Sequence, residues 1–322
     1  RSAEMRMRQQ GMSYKDIAAA GGGIRYTVEE TRECKNFDQI AEHRIHQSIS
    51  LGTTSIEVKS GYGLDTETEL RMLESYSRMR TKFPGLSIHI TWMGAHDIPN
   101  GFERKQYVES LLTEQLPSVL KQGHANSVDV FCEPGWFTLS DTEDICKDAI
   151  NGGLNVRLHV DEFADGGGLA LAAELGARTA DHALHSDDDA RGAASKAGTV
   201  QGFLPGTPYV LGNDNWPPAK HCTENQWAWS LASDFNPNCQ SLSIPMVGSL
   251  ATHRMGVDPI AALAASTRNP ATTLTDEKLI DGIISVGAKA NFNVLHSGLI
   301  ESWCQTPGQS PIFETYIMGE RY

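Results

Sequence analysis

The chain has 322 residues, 40% of them hydrophobic, and a formal net charge of −13. That is enough apolar material for one large core, or a core with a small appendage, and too much for a disordered chain. The acidic balance disfavours a broad nucleic-acid surface and an anionic membrane surface, and no apolar run reaches the roughly 18 residues of a membrane-spanning helix. Six cysteines, Cys34, Cys132, Cys146, Cys222, Cys239 and Cys304, form no Cys-x-x-Cys pair. A reduced, cytoplasmic chain with scattered thiols is therefore expected.

The opening "RSAEMRMRQQGMSY" lacks the apolar stretch of a signal peptide, and it lacks an initiator methionine. "GGGI" at 21–24 is glycine-rich but follows no strand, so it has little weight as a nucleotide-binding fingerprint. From there, β-branched apolar runs recur at 53–58, 86–92, 127–131, 155–160, 178–183, 199–204 and 226–233. Helix-like segments lie between most of them. Thr66 with Glu69 reads as a capping box ahead of Leu70, Leu73, Tyr76 and Met79. Ser140 with Glu143 reads as another, and Gly152 and Gly153 end that helix. Residues 169–177 form a compact Ala/Leu helix. "SDDDA" at 186–190 opens another helix, and Asp258 with Pro259 a further one.

Strand and helix alternating in this way predict a parallel sheet, either a (βα)₈ barrel or an open doubly wound sheet. The runs number seven, where a closed barrel needs eight, so a first strand is expected to be missing from this chain. Beyond residue 275 the character changes. Segments 281–295 and 311–322 are short and β-like, which predicts a barrel over 1–275 and part of a small β-sandwich domain over 276–322.

In such a barrel chemistry gathers at the C-terminal strand ends. Five of the seven runs end in imidazoles or carboxylates: His96, then Cys132 with Glu133, then His159 with Glu162, then His182, then Asp234 with Asn236 nearby. One polar residue at a strand end is ordinary; a set on one rim points to a reactive site. His159 and Asp234 are ordinary ligands for zinc or iron, with His182 and His96 close by, and such a metal activates water for hydrolysis. Lys59 reads as a salt-bridge residue within the barrel rather than a Schiff-base lysine. Cys132 has no activating neighbour and reads as structural.

Taken together, "EVKSGYGLDTETELRML", "GAHDIP", "VDVFCE", "HVDEF", "LAAELGA", "ADH", "LPGT" and "SDFNPN" occur in one order, and the chain resembles the imidazolonepropionase family of the amidohydrolase superfamily from residue 1 to about 295. The resemblance implies a TIM-type barrel and hydrolysis of 4-imidazolone-5-propanoate to N-formimidoyl-L-glutamate in histidine degradation. It implies one divalent or trivalent metal ion, zinc or iron, on His159 and Asp234. Asp234, Glu162 and His182 would be catalytic, with Glu162 also bonding the imidazolone ring. Arg1, Tyr14, Tyr62, His96 and Asn236 would bind substrate, Arg1 and Tyr14 through its propanoate. A homodimer is a family expectation.

There are departures from the family pattern. The family's His-x-His pair would precede Arg1, and Asn291 stands where an Asp is usual. A fragment of a longer protein is therefore expected. Two other readings compete: a related cyclic amidohydrolase or deaminase using the same ligands, and a metal-free binding protein should the His-x-His strand be truly absent.

Overall fold

In the computed structural model the described residues are 3–12, 16–17, 20–274 and 280–322. Arg1 and Tyr14, both expected to contact substrate, lie outside them.

Seven parallel strands run in chain order around one sheet: β1 Ser55–Lys59, β2 Ser87–Ala95, β3 Ser127–Cys132, β4 Asn155–Val160, β5 Thr179–His182, β6 Val200–Phe203 and β7 Trp229–Leu231. They coincide with the seven apolar runs, the last being much shorter than its run. Alternation explains the layering. Ile88, Ile90, Val128, Val130, Val156, Leu158 and Ala180 belong to the hydrophobic core. The residues between them, including Asp129, Phe131, Arg157, His159 and Asp181, point to the other face. The register sets Phe131 beside His159 and His159 beside Asp181.

Among the described residues, β1 and β7 each have a strand neighbour on one side only. The ring is thus open between them. β1 shows the consequence: all of its residues are half-buried, while β3 is buried throughout. A cavity of about 1420 Å³ occupies the opening and the mouth above it, lined by Ile56, Val58, Leu231 and Leu263 among others.

Two helix starts differ from the expected ones. Asp65, not Thr66, caps the helix Thr66–Lys82, its side chain accepting from the Thr68 N–H. Thr138, not Ser140, caps Leu139–Asn151, in a reciprocal pair with Asp141. The other two expected starts are present, with Asp187 capping Asp188–Ala197 and Asp258 capping Pro259–Ser266.

The tail forms one antiparallel sheet of β8 Phe292–Leu295, β9 Ile312–Ile317 and β10 Glu320–Arg321. It docks through Thr315, whose hydroxyl donates to the Ile49 carbonyl at 3.0 Å, and Asn293, whose amide donates to the Gly52 carbonyl at 2.8 Å. Asn291 donates to the Gly85 carbonyl at 3.2 Å and accepts from the Met318 N–H at 2.7 Å, which ties the β9–β10 turn to the barrel. No helix among the described residues is long and apolar enough to cross a membrane.

Candidate metal centre at the barrel mouth

Two loops at the C-terminal rim are gathered around three buried carboxylates. Glu69 points back from its helix and accepts from the N–H groups of Gly61, Gly63 and Leu64, holding the turn that carries Tyr62. Its proposed part in a capping box was therefore mistaken: burial made this carboxylate the anchor of the preceding loop. Gly61 is required there, because its φ is +106° and a Cβ would come within 2.8 Å of the Met93 carbonyl oxygen. Glu133, just past β3, accepts from the N–H groups of Glu162, Phe163 and Ala164. Asp161 accepts from Gly166, Gly168 and Leu169, and from the Ser186 hydroxyl at 2.6 Å. Gly168 permits that wrap, since a Cβ would fall 2.7 Å from the Val160 Cβ. Burial pushes the Glu69 and Glu133 carboxyls up, against the bonds they accept.

On this frame His159, His182 and Asp234 converge from the ends of β4, β5 and β7, with one ligand atom of each within 4.8 Å of the others. Strict alternation would put His182 on the outer face with Ala180. Instead the backbone turns left-handed at His182 (φ +67°) and Ala183 (φ +44°), and the imidazole reaches the mouth, its ring centroid 5.2 Å from that of His159. Asp161 and Asp234 are also left-handed, both with φ +50°. Non-glycine residues held there cost roughly 1–3 kcal/mol each and concentrate at functional sites. The Thr207 hydroxyl donates to Asp234 Oδ2.

Glu162 Oε2 lies 3.6 Å from His182 Nε2. Burial pushes the Glu162 carboxyl up; the nearby Asp234 charge adds to this and His182 opposes it. His96 accompanies Tyr62 across the mouth, their ring centroids 4.9 Å apart, and His96 Nδ1 bonds the Gly61 carbonyl at 2.8 Å. Burial, then the His159 charge, pull the His96 ring down to about 4, so it is neutral near pH 7. Asn236 lines the cavity and accepts from the N–H groups of Asn238 and Cys239, while its amide donates to the Asp234 carbonyl. Every candidate site residue that is described therefore lies at this mouth. Lys59 is indeed in a salt-bridge network, and Cys132 is buried with its thiol pushed up to about 11 by burial.

Sequence reading missed an aromatic wall of Phe131, Trp136 and Phe163, with centroid spacings of 5.1 Å and 5.8 Å along it. It also missed Thr207 and Asp129. Asp129 carried a signal, a carboxylate in mid-strand sharing a face with Phe131.

No family model matches the chain. The chain is 39% identical over 301 residues to the imidazolonepropionase of Symbiobacterium thermophilum, covering 92% of this chain and 70% of that protein. The chain belongs to the imidazolonepropionase family. Over 324 residues it is 35% identical to the family member from Shewanella piezotolerans, covering 99% of this chain and 76% of that protein. Among solved structures it is similar to a guanine deaminase from C. acetobutylicum, with TM-score 0.68, 13% identity, and 92% of this chain and 77% of that one covered. An adenosine deaminase from Xanthomonas campestris with bound zinc gives TM-score 0.65 at 13% identity, covering 95% of this chain and 71% of that one. At such identities these two speak for the fold alone, the parallel α/β barrel of the amidohydrolases.

Proposed function

We propose that this mouth hydrolyses 4-imidazolone-5-propanoate to N-formimidoyl-L-glutamate, the imidazolonepropionase step of histidine degradation. The observation that carries the reading is the meeting of His159, His182 and Asp234 in a chain of this family. Their donor set, two imidazoles and a carboxylate, suits zinc or iron. One such ion would be held by His159 and Asp234, with His182 beside it; when bound it supplies an acidic water and a Lewis acid at neutral pH.

The chain's own residues do the rest. The Asp234 carboxylate takes the proton of the attacking water and delivers it to the ring nitrogen as the C–N bond breaks. Thr207 holds its other oxygen. The His182 imidazole polarises the scissile carbonyl. Glu162, whose carboxyl burial pushes up, bonds the ring and moves a proton there. Tyr62, His96 and Asn236 line the pocket for the small-molecule substrate. Arg1 and Tyr14, outside the described residues, are proposed for its propanoate, which a guanidinium suits. A cytoplasmic homodimer, a barrel over 1–275, and a tail over 276–322 that is part of a small β-sandwich domain belong to the same proposal.

The test is direct. The purified chain, supplied with zinc or with iron(II), is expected to convert 4-imidazolone-5-propanoate to formimidoylglutamate and to act poorly on hydantoins and on adenine or guanine. A preference for the purines would move the site to the deaminases. Metal-replete protein with no turnover on any of them, both as this chain and extended upstream of Arg1, would remove the hydrolase reading.

A further inference from the structure

One layer below the mouth, Asp129 sits in mid-strand on β3 with its side chain fully buried. Its Oδ1 accepts from His159 Nδ1 at 3.0 Å, and its Oδ2 accepts from Lys59 Nζ at 2.5 Å. Lys59 also donates to Asp181 Oδ2 at 3.0 Å and lies 3.5 Å from Glu57 Oε1. Arg157 Nε is 3.3 Å from that same Glu57 oxygen. Asp129, His159 and Asp181 would make a second trio of metal-ligand atoms, within 4.8 Å of one another. Its two carboxylates, however, already share an ammonium.

We propose that Asp129, clamped by Lys59, is the positioning residue that aims Nε2 of His159 at the bound metal. An imidazole offers two nitrogens, and a ring flip exchanges them. An acceptor at Nδ1 keeps a proton there, fixes the ring, and leaves the Nε2 lone pair for the ion. A carboxylate acceptor also makes the ligand more basic. Asp129 performs this only if its own carboxylate cannot turn. Lys59 prevents the turn by holding the second oxygen, and Asp181 and Glu57 hold Lys59 in place. An ordinary barrel salt bridge would have no reason to end on the nitrogen of His159. The inference rests on the reading of His159 as a metal ligand.

Zinc itself is the probe. Its Kd is measured by competition with a chromophoric chelator for the full chain, D129N, K59M and K59R, beside the Tm of each metal-free protein. D129N keeps the shape but loses the charge, and K59M frees the carboxylate. Both are expected to weaken zinc binding roughly 10–100-fold, the usual effect of losing such a partner. K59R keeps the cation and is expected to bind within a few-fold of the parent. A purely structural role would lower the metal-free Tm of D129N and K59M and leave the Kd of the folded protein where it was. That result, with the parent binding zinc, overturns this inference alone. A parent that binds no zinc overturns it together with the metal reading. Should D129N fail to fold, D129E keeps the charge but moves the oxygens by one methylene, and unchanged zinc affinity there is equally contrary.

Discussion

Two layers of polar side chains lie one above the other inside the open ring. In the lower layer each carboxylate meets a cation: Glu57 faces Arg157 and Lys59, while Asp129 and Asp181 share the Lys59 ammonium. Burial raises the Glu57 carboxyl, but Arg157 and Lys59 outweigh it and bring it down to about 2. In the mouth above, Glu162 has a histidine and a second carboxylate for neighbours and is pushed up instead. The residue types are the same. What differs is whether a permanent cation stands beside the acid, and that decides whether Glu57 is brought down or Glu162 is pushed up. The lower layer is paired with permanent cations, and the upper layer carries the candidate site.

If the layers divide the work in this way, substitutions should divide too. Removing a mouth ligand should have the largest effect on turnover. In His159→Ala or Asp234→Ala, bound metal and hydrolysis are expected to fall to background, while the Tm of the metal-free Asp234→Ala protein changes little. Elemental analysis and a melting curve check both halves. A folded Asp234→Ala protein with full metal would take Asp234 out of the ligand set.

Glu162→Gln comes next. Metal and fold should persist while kcat drops by on the order of 10²–10⁴, the usual effect of losing a positioned acid or base. Steady-state kinetics on the metal-replete variant reads this, and near-normal kcat would sink the role.

How far the sequence carried this division depends on range. The strands and rim residues were legible because burial imposes a period-two pattern and because His159, Glu162 and Asp234 interrupt it where strands end. The start of the helix at 66 was not, because Asp65, Thr66 and Glu69 offer overlapping capping patterns. The choice falls to tertiary burial, which takes Glu69 into the loop before it. At 138–143 the same ambiguity arises from successive Thr, Ser, Asp and Glu residues. Lys59 was legible as a salt-bridge residue, but its partners Asp129 and Asp181 lie 70 and 122 positions away, and nothing local names them.

The lower layer gives the sharper stability tests. Arg157 also donates to the Thr273 carbonyl at 2.8 Å, so Arg157→Met leaves both that oxygen and Glu57 short of a partner. A loss of about 3–5 kcal/mol in urea unfolding is expected, typical of breaking a buried pair. The Glu57→Gln/Arg157→Met double variant should recover part of it. A large kcat change with intact stability would show that Glu57 and Arg157, like Asp129 and Lys59, act on the mouth.

The smallest effect concerns His89, whose Nε2 bonds Ser127 Oγ at 2.8 Å. Burial, then Arg157, pull its ring down to about 3. The folded state thus holds fewer protons at His89 than the unfolded state does once the pH is below about 6.5. Its contribution is intact above that pH and is lost as pH falls through that window, at up to about 1.4 kcal/mol per pH unit. Glu57 acts in the same direction, but only below about 4.5, as the pH approaches its folded value of about 2. Urea unfolding between pH 6.5 and 4.5 therefore reads His89 together with His96, whose ring is pulled down to about 4, and the difference between parent and variant isolates His89. His89→Gln should flatten the slope there, and an unchanged slope would mean the ring is protonated in place.

The carboxylates that gather the rim loops have a consequence for rebuilding the enzyme. Glu133 belongs to the end of β3 but organises the loop after β4, and Ser186, after β5, closes on Asp161 of that same loop. Thr207, after β6, steadies Asp234, after β7, and His96, after β2, leans on Gly61, after β1. These loops borrow part of their shape from the one next door. The transferable module of this barrel is therefore a pair of adjacent loops. Grafts that carry one loop alone should arrive without the partner that folds it.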